Sequence, residues 1–371
     1  MNVETYLNEK YEFHYNEILN RTFYKKKKTK DQFDLLKNFE FNSIRRELNN
    51  NSVSTSISEL KSLLESDFVS IYNPFEDYFN NLPDWDGKTD YISQLTDTII
   101  TTNQKDFKWA FKKWLVAMVA CAINEDITNQ AVLILTGKQG IGKTTWLKNL
   151  VPEPLKDYFF SGNINPNNKD TTLLMSEKLI INLDELASFN KNQIEAFKEL
   201  ITKEVISERR AYGYFTENYI RRASFVGSSN HNEILMDVTG NRRFLCFEAT
   251  DIQYQHNTCL DSVYSQIIHL INKTNFRYYF DTNDIKRLEE NNKMYVQSSQ
   301  ENDWIEELFE VTEDVERADY MNATEIIEYI KHTKKVYQNI NVQEIGKIMT
   351  SKGFRVKKIN GNTKKYIVIK K

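Results

Sequence analysis

Apolar and polar positions follow two different periods along the middle of the chain. Between Phe107 and Ile123 apolar residues recur with helical spacing, which predicts one long amphipathic helix. Short apolar runs then alternate with helical stretches, and this alternation is typical of a parallel sheet covered by helices. The apolar runs are residues 131–136, 178–184, 223–228 and 244–247. The pattern therefore predicts an α/β core.

The flanking segments have other patterns. Residues 1–100 are rich in Asn, Lys and aromatic residues, and Ser56 with Glu59 predicts a helix-capping box. Residues 72–95 contain two prolines and a Trp-Asp-Gly turn, which we interpret as a compact linker. Near the C-terminus, two helices capped at Asn322 and Asn341 precede a predicted hairpin around "NGNT", which is the winged-helix layout. We therefore predict a small mixed N-terminal domain (1–100), an α/β domain (101–295) and a winged-helix-like domain (300–371).

Composition narrows the class of protein. The 371 residues carry a net charge of −3, so any surface for nucleic acid must be local. The three cysteines form no C-x-x-C pair, which argues against a disulfide framework and favours a reducing compartment. The first residues lack the layout of a signal peptide, and the longest apolar run, residues 114–123, is too short to span a membrane. We expect a soluble cytoplasmic protein without membrane contact.

A glycine-rich loop follows the first core strand. The stretch "GKQGIGKT" matches G-x-x-x-x-G-K-[ST], in which backbone N–H groups surround a phosphate, Lys143 reaches the β- and γ-phosphates and Thr144 ligates Mg²⁺. A helix begins directly after the loop and adds its dipole to the site. ATP and Mg²⁺ are thus the predicted cofactors and residues 101–295 a P-loop ATPase domain, the alternative being a plain turn with a surface lysine. The predicted ATP-binding residues are Gly137, Lys138, Gln139, Gly140, Ile141, Gly142, Lys143, Thr144 and Thr145.

Further candidate catalytic residues follow later strands. Asp184 and Glu185 end an apolar strand as a Walker B pair, in which Asp184 would hold Mg²⁺ and Glu185 would activate water. Asn230 follows the next strand and could sense the γ-phosphate, although a plain loop asparagine is the alternative. Arg242 and Arg243 precede the strand at 244–247, where one could act as an arginine finger on a neighbouring subunit; a surface ion pair is the alternative.

Two basic segments suggest nucleic acid. In residues 203–222, cations that engage phosphates alternate with aromatic rings that stack on bases, a combination that suits single-stranded nucleic acid. Gly213 and Glu217-Asn218 could form the tip of a hairpin in this segment. The C-terminal hairpin is also basic. In the alternatives, the aromatic residues are core, the arginines form ion pairs and the C-terminus only solubilises the chain. The predicted DNA-binding residues are Lys203, Arg209, Arg210, Tyr212, Tyr214, Phe215, Tyr219, Arg221, Arg222, Lys357, Lys358, Lys364 and Lys365.

These motifs resemble the virulence-associated protein E family of phage and mobile-element ATPases, which is related to superfamily 3 helicases of the AAA+ class. The resemblance covers roughly residues 70–290, from "YNPFEDYF" through "LTGKQGIGKTTWL" and "INLDELASF" to "DVTGNRRFLCFE". It implies the roles given above and singles out Arg243 over Arg242, because the finger directly precedes a strand. It also implies a hexameric ring on single-stranded DNA, with a DNA-contacting hairpin where "AYGYFTENY" falls.

The sequence therefore favours an ATP-dependent replicative DNA helicase of a phage or mobile element, with hydrolysis at subunit interfaces. Its expected partners are single-stranded or origin DNA, further copies of the chain and, because no primase module is recognisable, a separate primase. A nucleotide-switched DNA-binding initiator or an anti-phage signalling ATPase without unwinding remains open as the alternative. A small-molecule kinase is disfavoured, because such enzymes lack the succession Asp-Glu, Asn, Arg-Arg.

Overall fold

The computed structural model describes residues 2–29, 32–184, 189, 191–210, 215–235, 241–256, 258–296, 299–312, 317–359 and 363–371. The chain folds as two compact units, residues 1–295 and 296–371. Within the described residues, no helix has the length and apolar character needed to cross a membrane. The three-domain division stays a prediction.

The first part of the larger unit is a four-stranded sheet with three helices. The sheet order is β3-β2-β1-β4, in which β1 and β4 are parallel and the other pairs are antiparallel. Its own apolar core includes Leu7, Leu48 and Leu60, and the predicted capping box of Ser56 and Glu59 at the start of α3 is confirmed. The elements are α1 (Val3–Lys10), β1 (Tyr11–Asn16), β2 (Arg21–Lys26), β3 (Asp34–Leu35), α2 (Asn38–Asn50), α3 (Ile57–Leu64) and β4 (Ser70–Tyr72).

The segment interpreted as a linker is instead helical, with α4 (Pro74–Asn80) and α5 (Tyr91–Thr96). Asn73 caps α4 through its side chain, and Pro74 occupies the first turn, where its missing N–H costs nothing. Phe75 and Phe79 are fully buried in the main core. The linker interpretation was wrong because an Asn-Pro pair begins a helix as readily as it forms a turn.

A six-stranded sheet forms the centre of the larger unit. Its order is β5-β12-β6-β11-β8-β7, and every neighbouring pair is parallel except β5 with β12. The predicted α/β core with a parallel sheet is thus confirmed. Its strands are β5 (Ile99–Thr101), β6 (Val132–Thr136), β7 (Phe159–Gly162), β8 (Ile180–Asp184), β11 (Ser224–Ser228) and β12 (Phe244–Ile252), and a separate antiparallel pair consists of β9 (Val205–Glu208) and β10 (Glu217–Ile220).

Helices surround this sheet. The long predicted helix is α6, whose Phe107, Phe111 and Trp114 are fully buried, and Phe111 packs against Trp146 of α7. The helices are α6 (Gln104–Ile123), α7 (Lys143–Lys148), α8 (Lys169–Glu177), α9 (Lys191–Leu200), α10 (Leu260–Lys273) and α11 (Thr282–Asn292). Because β6, β8 and β11 are parallel neighbours, their carboxyl ends meet at one edge of the sheet, where ligands bind in open α/β sheets.

The smaller unit has its own core, which includes Ile305, Ile326, Ile345 and Val368. The predicted helices capped at Asn322 and Asn341 are present, and β15 and β16 form the predicted antiparallel hairpin. The strand order is β13-β16-β14, with β15 also paired to β16. The winged-helix assignment itself stays a prediction. The elements are α12 (Gln300–Leu308), β13 (Phe309–Glu310), β14 (Asp319–Met321), α13 (Ala323–Lys334), α14 (Val342–Ser351), β15 (Val356–Ile359) and β16 (Thr363–Lys370).

Candidate functional site

The glycine loop joins β6 to α7 and depends on positive backbone angles. Gly137, Gly140 and Gly142 have φ values of 134°, 84° and 97°, a region that glycine adopts without a steric cost. At Gly137 a Cβ would also lie 2.3 Å from the Ala249 carbonyl oxygen, so no side chain fits there. Gly142 is the N-cap residue of α7 and therefore aims the amino end of that helix at the loop.

Lys143 is buried inside this loop, with 6% of its surface exposed. Its Nζ donates hydrogen bonds to Gly137 O at 2.7 Å, Lys138 O at 2.8 Å and Asn230 Oδ1 at 3.0 Å. Burial lowers the pKa of the Lys143 ammonium. Among the described residues no carboxylate forms an ion pair with it, so neutral oxygens alone surround the charge, and an anion in the loop could replace them.

Asp184 lies at the carboxyl end of β8 and is held by two side chains. Asn182 Nδ2 donates to Asp184 Oδ1 at 2.7 Å, and Ser161 Oγ donates to Asp184 Oδ2 at 2.9 Å. Asn182 Nδ2 also donates to Ser161 Oγ at 2.8 Å, which joins the three side chains into one network. The carboxylate is therefore oriented before any ligand arrives.

The strand ends and the loop face one cavity of about 850 Å³. Thr144 Oγ1 lies 3.0 Å from Ser228 Oγ, at the end of β11. Gly137 and Lys138 contribute carbonyls to Lys143, whereas Ile141 packs against the core. The described residues that line the cavity are Gln139, Gly140, Gly142, Lys143, Thr144, Thr145, Asp184, Ser228, Ser229, Asn230 and His231.

The oxygen donors in this cavity fit Mg²⁺. A hydroxyl and a carboxylate, Thr144 and Asp184, are hard ligands of the kind that Mg²⁺ takes alongside water and phosphate oxygens. No cluster of three acidic, histidine or cysteine side chains that could hold a metal occurs in the described parts of the chain. Glu185, the predicted base, lies outside the described residues.

Arg242 and Arg243 are not brought to the glycine-loop cavity. They follow Asn241 in a short 3₁₀ turn (Asn241–Arg243) before β12 and line a separate cavity of about 480 Å³ together with Asn129 and Glu204. Arg242 is exposed, and Arg243 is partly buried. Burial and the neighbouring Arg242 charge lower the pKa of Arg243. Arg243 Nε is buried without a hydrogen-bond partner among the described residues.

The predicted hairpin after α9 is present as the antiparallel pair β9 and β10. Glu217 and Asn218 lie within β10 and not at its tip, which corrects that part of the prediction. Tyr212, Gly213 and Tyr214 lie outside the described residues. Among the described DNA-binding candidates of residues 203–222, Lys203, Arg209 and Phe215 have exposed side chains. Two others contact each other, because the Arg210 guanidinium lies 4.8 Å over the Tyr219 ring and also pairs with Glu177.

The prediction that Arg221 and Arg222 bind DNA is wrong, because both side chains are buried in the core. Arg221 is fully buried and donates to backbone carbonyls, with Nη2 to Asn129 O at 2.7 Å and Nε to Ala223 O at 3.2 Å. Arg222 is 6% exposed, donates to Ala122 O at 3.1 Å and lies 3.6 Å from Glu125. Their guanidinium groups bind backbone carbonyls and, for Arg222, the Glu125 carboxylate, so neither presents a free guanidinium to a DNA strand.

The predicted DNA-binding lysines of the C-terminal hairpin also differ in their exposure. Lys357, Lys358 and Lys364 are exposed. Lys365 is partly buried and donates to the Glu325 carboxylate at 3.0 Å, which corrects its assignment to a DNA surface. Glu325 is also the acid of the α13 capping box, so Lys365 joins β16 to the start of that helix.

Sequence reasoning missed the side chains that support the site. Ser161, Asn182 and Ser228 do not belong to the loop motif, yet they contact Asp184 or Thr144. Asn182 carried a signal, because it is a polar residue within an otherwise apolar strand and lies two positions before Asp184 on the same face. Ser161 is an exposed serine between Phe160 and Gly162, and its sequence context carried no such signal.

Fold and site together define an α/β protein whose glycine loop lies at the carboxyl edge of a mainly parallel sheet. The family model of the virulence-associated protein E-like domain matches residues 79–312, which is more than half of the chain. The chain therefore belongs to this family, and the resemblance noted in the sequence is confirmed. The comparison with curated proteins found no match.

The solved structures that this chain matches include two apo structures of the NrS-1 C-terminal region. The first, of residues 305–718, has 13% identity and a TM-score of 0.49 over 99% of this chain and 98% of that chain. The second, an A form, has 15% identity and a TM-score of 0.46 over the same shares. A structure described as the active helicase SCCmec type IV Cch has 10% identity and a TM-score of 0.40 over 97% of this chain and 92% of that chain.

Proposed function

We propose that the protein is an ATP-driven DNA helicase or translocase that serves replication of a phage or mobile genetic element. One observation carries the proposal: Lys143, Thr144, Asp184 and Asn230 line a single cavity at the carboxyl edge of the sheet. Triphosphate hydrolysis needs this combination, because a cation and a metal ion neutralise the phosphates while a polar side chain positions the attacking water. Membership of the virulence-associated protein E-like family supports it.

In this mechanism each side chain has a defined task. Lys143 exchanges its carbonyl acceptors for β- and γ-phosphate oxygens. Thr144 and Asp184 would hold Mg²⁺, which would supply charge neutralisation, while Asn182 and Ser161 keep the Asp184 carboxylate oriented. The Asn230 amide loses its contact with Lys143 when phosphate arrives and becomes free to contact the γ-phosphate or its attacking water. Glu185, next to Asp184 in the sequence, is proposed as the base.

Arg243 is proposed to act on the nucleotide of a neighbouring copy in a ring, expected to be a hexamer. Two observations support this role: Arg243 lines a cavity that contains no residue of its own glycine loop, and its Nε has no hydrogen-bond partner among the described residues. The hairpin of β9 and β10 is proposed to follow a DNA strand through its exposed cations, Lys203 and Arg209. The exposed lysines of β15 and β16 would recruit origin DNA or a partner.

The test is hydrolysis of ATP with and without single-stranded DNA, together with unwinding of a forked duplex. Lys143→Ala should abolish hydrolysis, Glu185→Gln should bind ATP without hydrolysing it, and Arg243→Ala should slow hydrolysis by about 10³-fold or more.

A mixture of Lys143→Ala and Arg243→Ala subunits should regain part of the activity. The reason is that an intact site forms where an Arg243→Ala subunit supplies Lys143 and its Lys143→Ala neighbour supplies Arg243. Full-rate hydrolysis by a monomer with Arg243 replaced would contradict the ring mechanism. DNA-stimulated hydrolysis without unwinding would instead support a nucleotide-switched DNA-binding protein.

A further inference from the structure

Tyr254 lies beside the glycine loop, on the segment that follows β12. A Cβ atom built on Gly142 would lie 2.4 Å from Tyr254 Cδ1 and 2.9 Å from Tyr254 Cγ. The aromatic ring therefore touches the backbone of the residue that precedes Lys143. Neither the glycine motif nor the roles proposed above involve this tyrosine.

The backbone around Tyr254 is fixed in place. Asn149, at the end of α7, donates from Nδ2 to Tyr254 O at 2.8 Å, and Gln253 N donates to Thr98 O at 2.8 Å. The segment is thus tied both to the helix that begins at the loop and to the start of β5. The ring itself remains 38% exposed and has no aromatic or cationic stacking partner among the described residues.

We propose that Tyr254 stacks on the nucleobase of the nucleoside triphosphate held by the glycine loop. This inference rests on the proposed function and names the substrate contact that the phosphate motif leaves undefined. Phosphates gripped at residues 140–145 leave the nucleoside end at the margin of the loop, where a partly exposed ring on a fixed backbone offers a flat apolar face. Stacking tolerates every base, but a purine overlaps the phenol ring more than a pyrimidine does.

The experiment compares two probes, MgATP and magnesium tripolyphosphate, which shares the phosphates and lacks the nucleoside. Their dissociation constants are measured by calorimetry for the wild type, Tyr254→Leu, Tyr254→Ala and Tyr254→Phe. Loss of a base–aromatic stack should weaken ATP binding by about 5- to 100-fold in the Leu and Ala variants. Tyr254→Phe should bind ATP as the wild type does, and tripolyphosphate affinity should stay constant throughout.

Leucine keeps apolar contact with Gly142, so it separates stacking from packing of the loop. Tyr337, which is 96% exposed in the other unit, supplies the matched control Tyr337→Ala, for which no change is expected. The proposal is overturned if Tyr254→Leu binds ATP normally, or if ATP and tripolyphosphate weaken equally. If the wild type binds neither probe, the proposed function itself fails, an outcome distinct from a Tyr254 effect.

Discussion

Lys143 and Arg221 are two buried cations with no acidic partner among the described residues, and they differ in what surrounds them. Lys143 Nζ binds three neutral oxygens that belong to a loop open to a cavity of about 850 Å³. Arg221 is fully buried and donates to carbonyls of Asn129, Ile201 and Ala223, and it is not among the residues that line this cavity. Burial lowers the pKa of Arg221 to about 10.

The comparison shows that burial of a cation does not by itself indicate a ligand site. A buried charge is costly unless hydrogen bonds replace its hydration, and both side chains meet that condition. Access is the difference, because Lys143 lines the cavity, where an incoming anion can displace its oxygens, whereas Arg221 has no exposed surface and does not line that cavity. Lys143 should therefore matter for binding and Arg221 for folding.

The largest expected effect is on stability, at Arg221. Arg221→Met keeps much of the side-chain volume but leaves buried carbonyls of three chain segments without donors. The free energy of unfolding should fall by about 3–5 kcal/mol, the usual cost of removing one side of a buried charged network. Urea denaturation followed by circular dichroism measures it.

The matched control is Arg209→Met, which removes an exposed arginine from the same segment. Its unfolding free energy should stay within about 0.5 kcal/mol of the wild type. A stable Arg221→Met protein that has lost DNA binding would reverse this assignment and return Arg221 to the DNA surface.

The second largest effect is expected at Lys143, where a substitution should impair ligand binding and leave stability nearly unchanged. Lys143→Met should change the unfolding free energy by no more than about 1 kcal/mol, because water in the cavity can satisfy the vacated loop carbonyls. In the wild type, a ligand at 100 times its dissociation constant adds about 2.7 kcal/mol of stability. MgADP at that concentration should give this gain to the wild type and none to the variant.

Denaturation curves with and without MgADP provide the measurement. If Lys143→Met unfolds as readily as Arg221→Met, or if it keeps the full MgADP gain, then Lys143 is a structural cation and the comparison no longer holds.

The glycine loop was predictable because its geometry is local. Positive φ values at three glycines and a helix that begins at Lys143 follow from eight consecutive residues, whatever surrounds them. The strands that end at Asp184 and Ser228 were equally clear, since apolar runs of this length are typical of buried parallel strands. Parallel pairing then accounts for why distant motifs share one cavity.

The direction in which Arg221 points was not predictable. Cations and aromatic rings alternate across residues 203–222, and their composition is the same whether a given side chain faces solvent or core. Which arginine turns inward depends on carbonyls of Asn129 and Ile201, which lie 92 and 20 residues from Arg221 in the sequence. The helix α4 was missed for a different reason: Asn73-Pro74 was interpreted as a turn, although the same pair is a cap followed by a first helical residue.

The smallest effect is expected at Ser161, an exposed residue that contacts Asp184 of the glycine-loop cavity. Ser161→Ala removes one of the two hydrogen bonds that orient Asp184, while Asn182 keeps the other. The Mg²⁺ concentration for half-maximal ATP hydrolysis should rise about tenfold, as expected when a supporting partner of a metal ligand is lost. The rate at saturating Mg²⁺ and the unfolding free energy should stay unchanged, because Ser161 is exposed and its hydroxyl contacts the proposed Mg²⁺ ligand Asp184. Ser161→Thr, which keeps the hydroxyl, should restore the Mg²⁺ requirement. A Ser161→Ala protein with an unaltered Mg²⁺ requirement would show that the hydroxyl does not orient Asp184. If Ser161→Ala instead lowered the free energy of unfolding, Ser161 would be a structural residue, like Arg221.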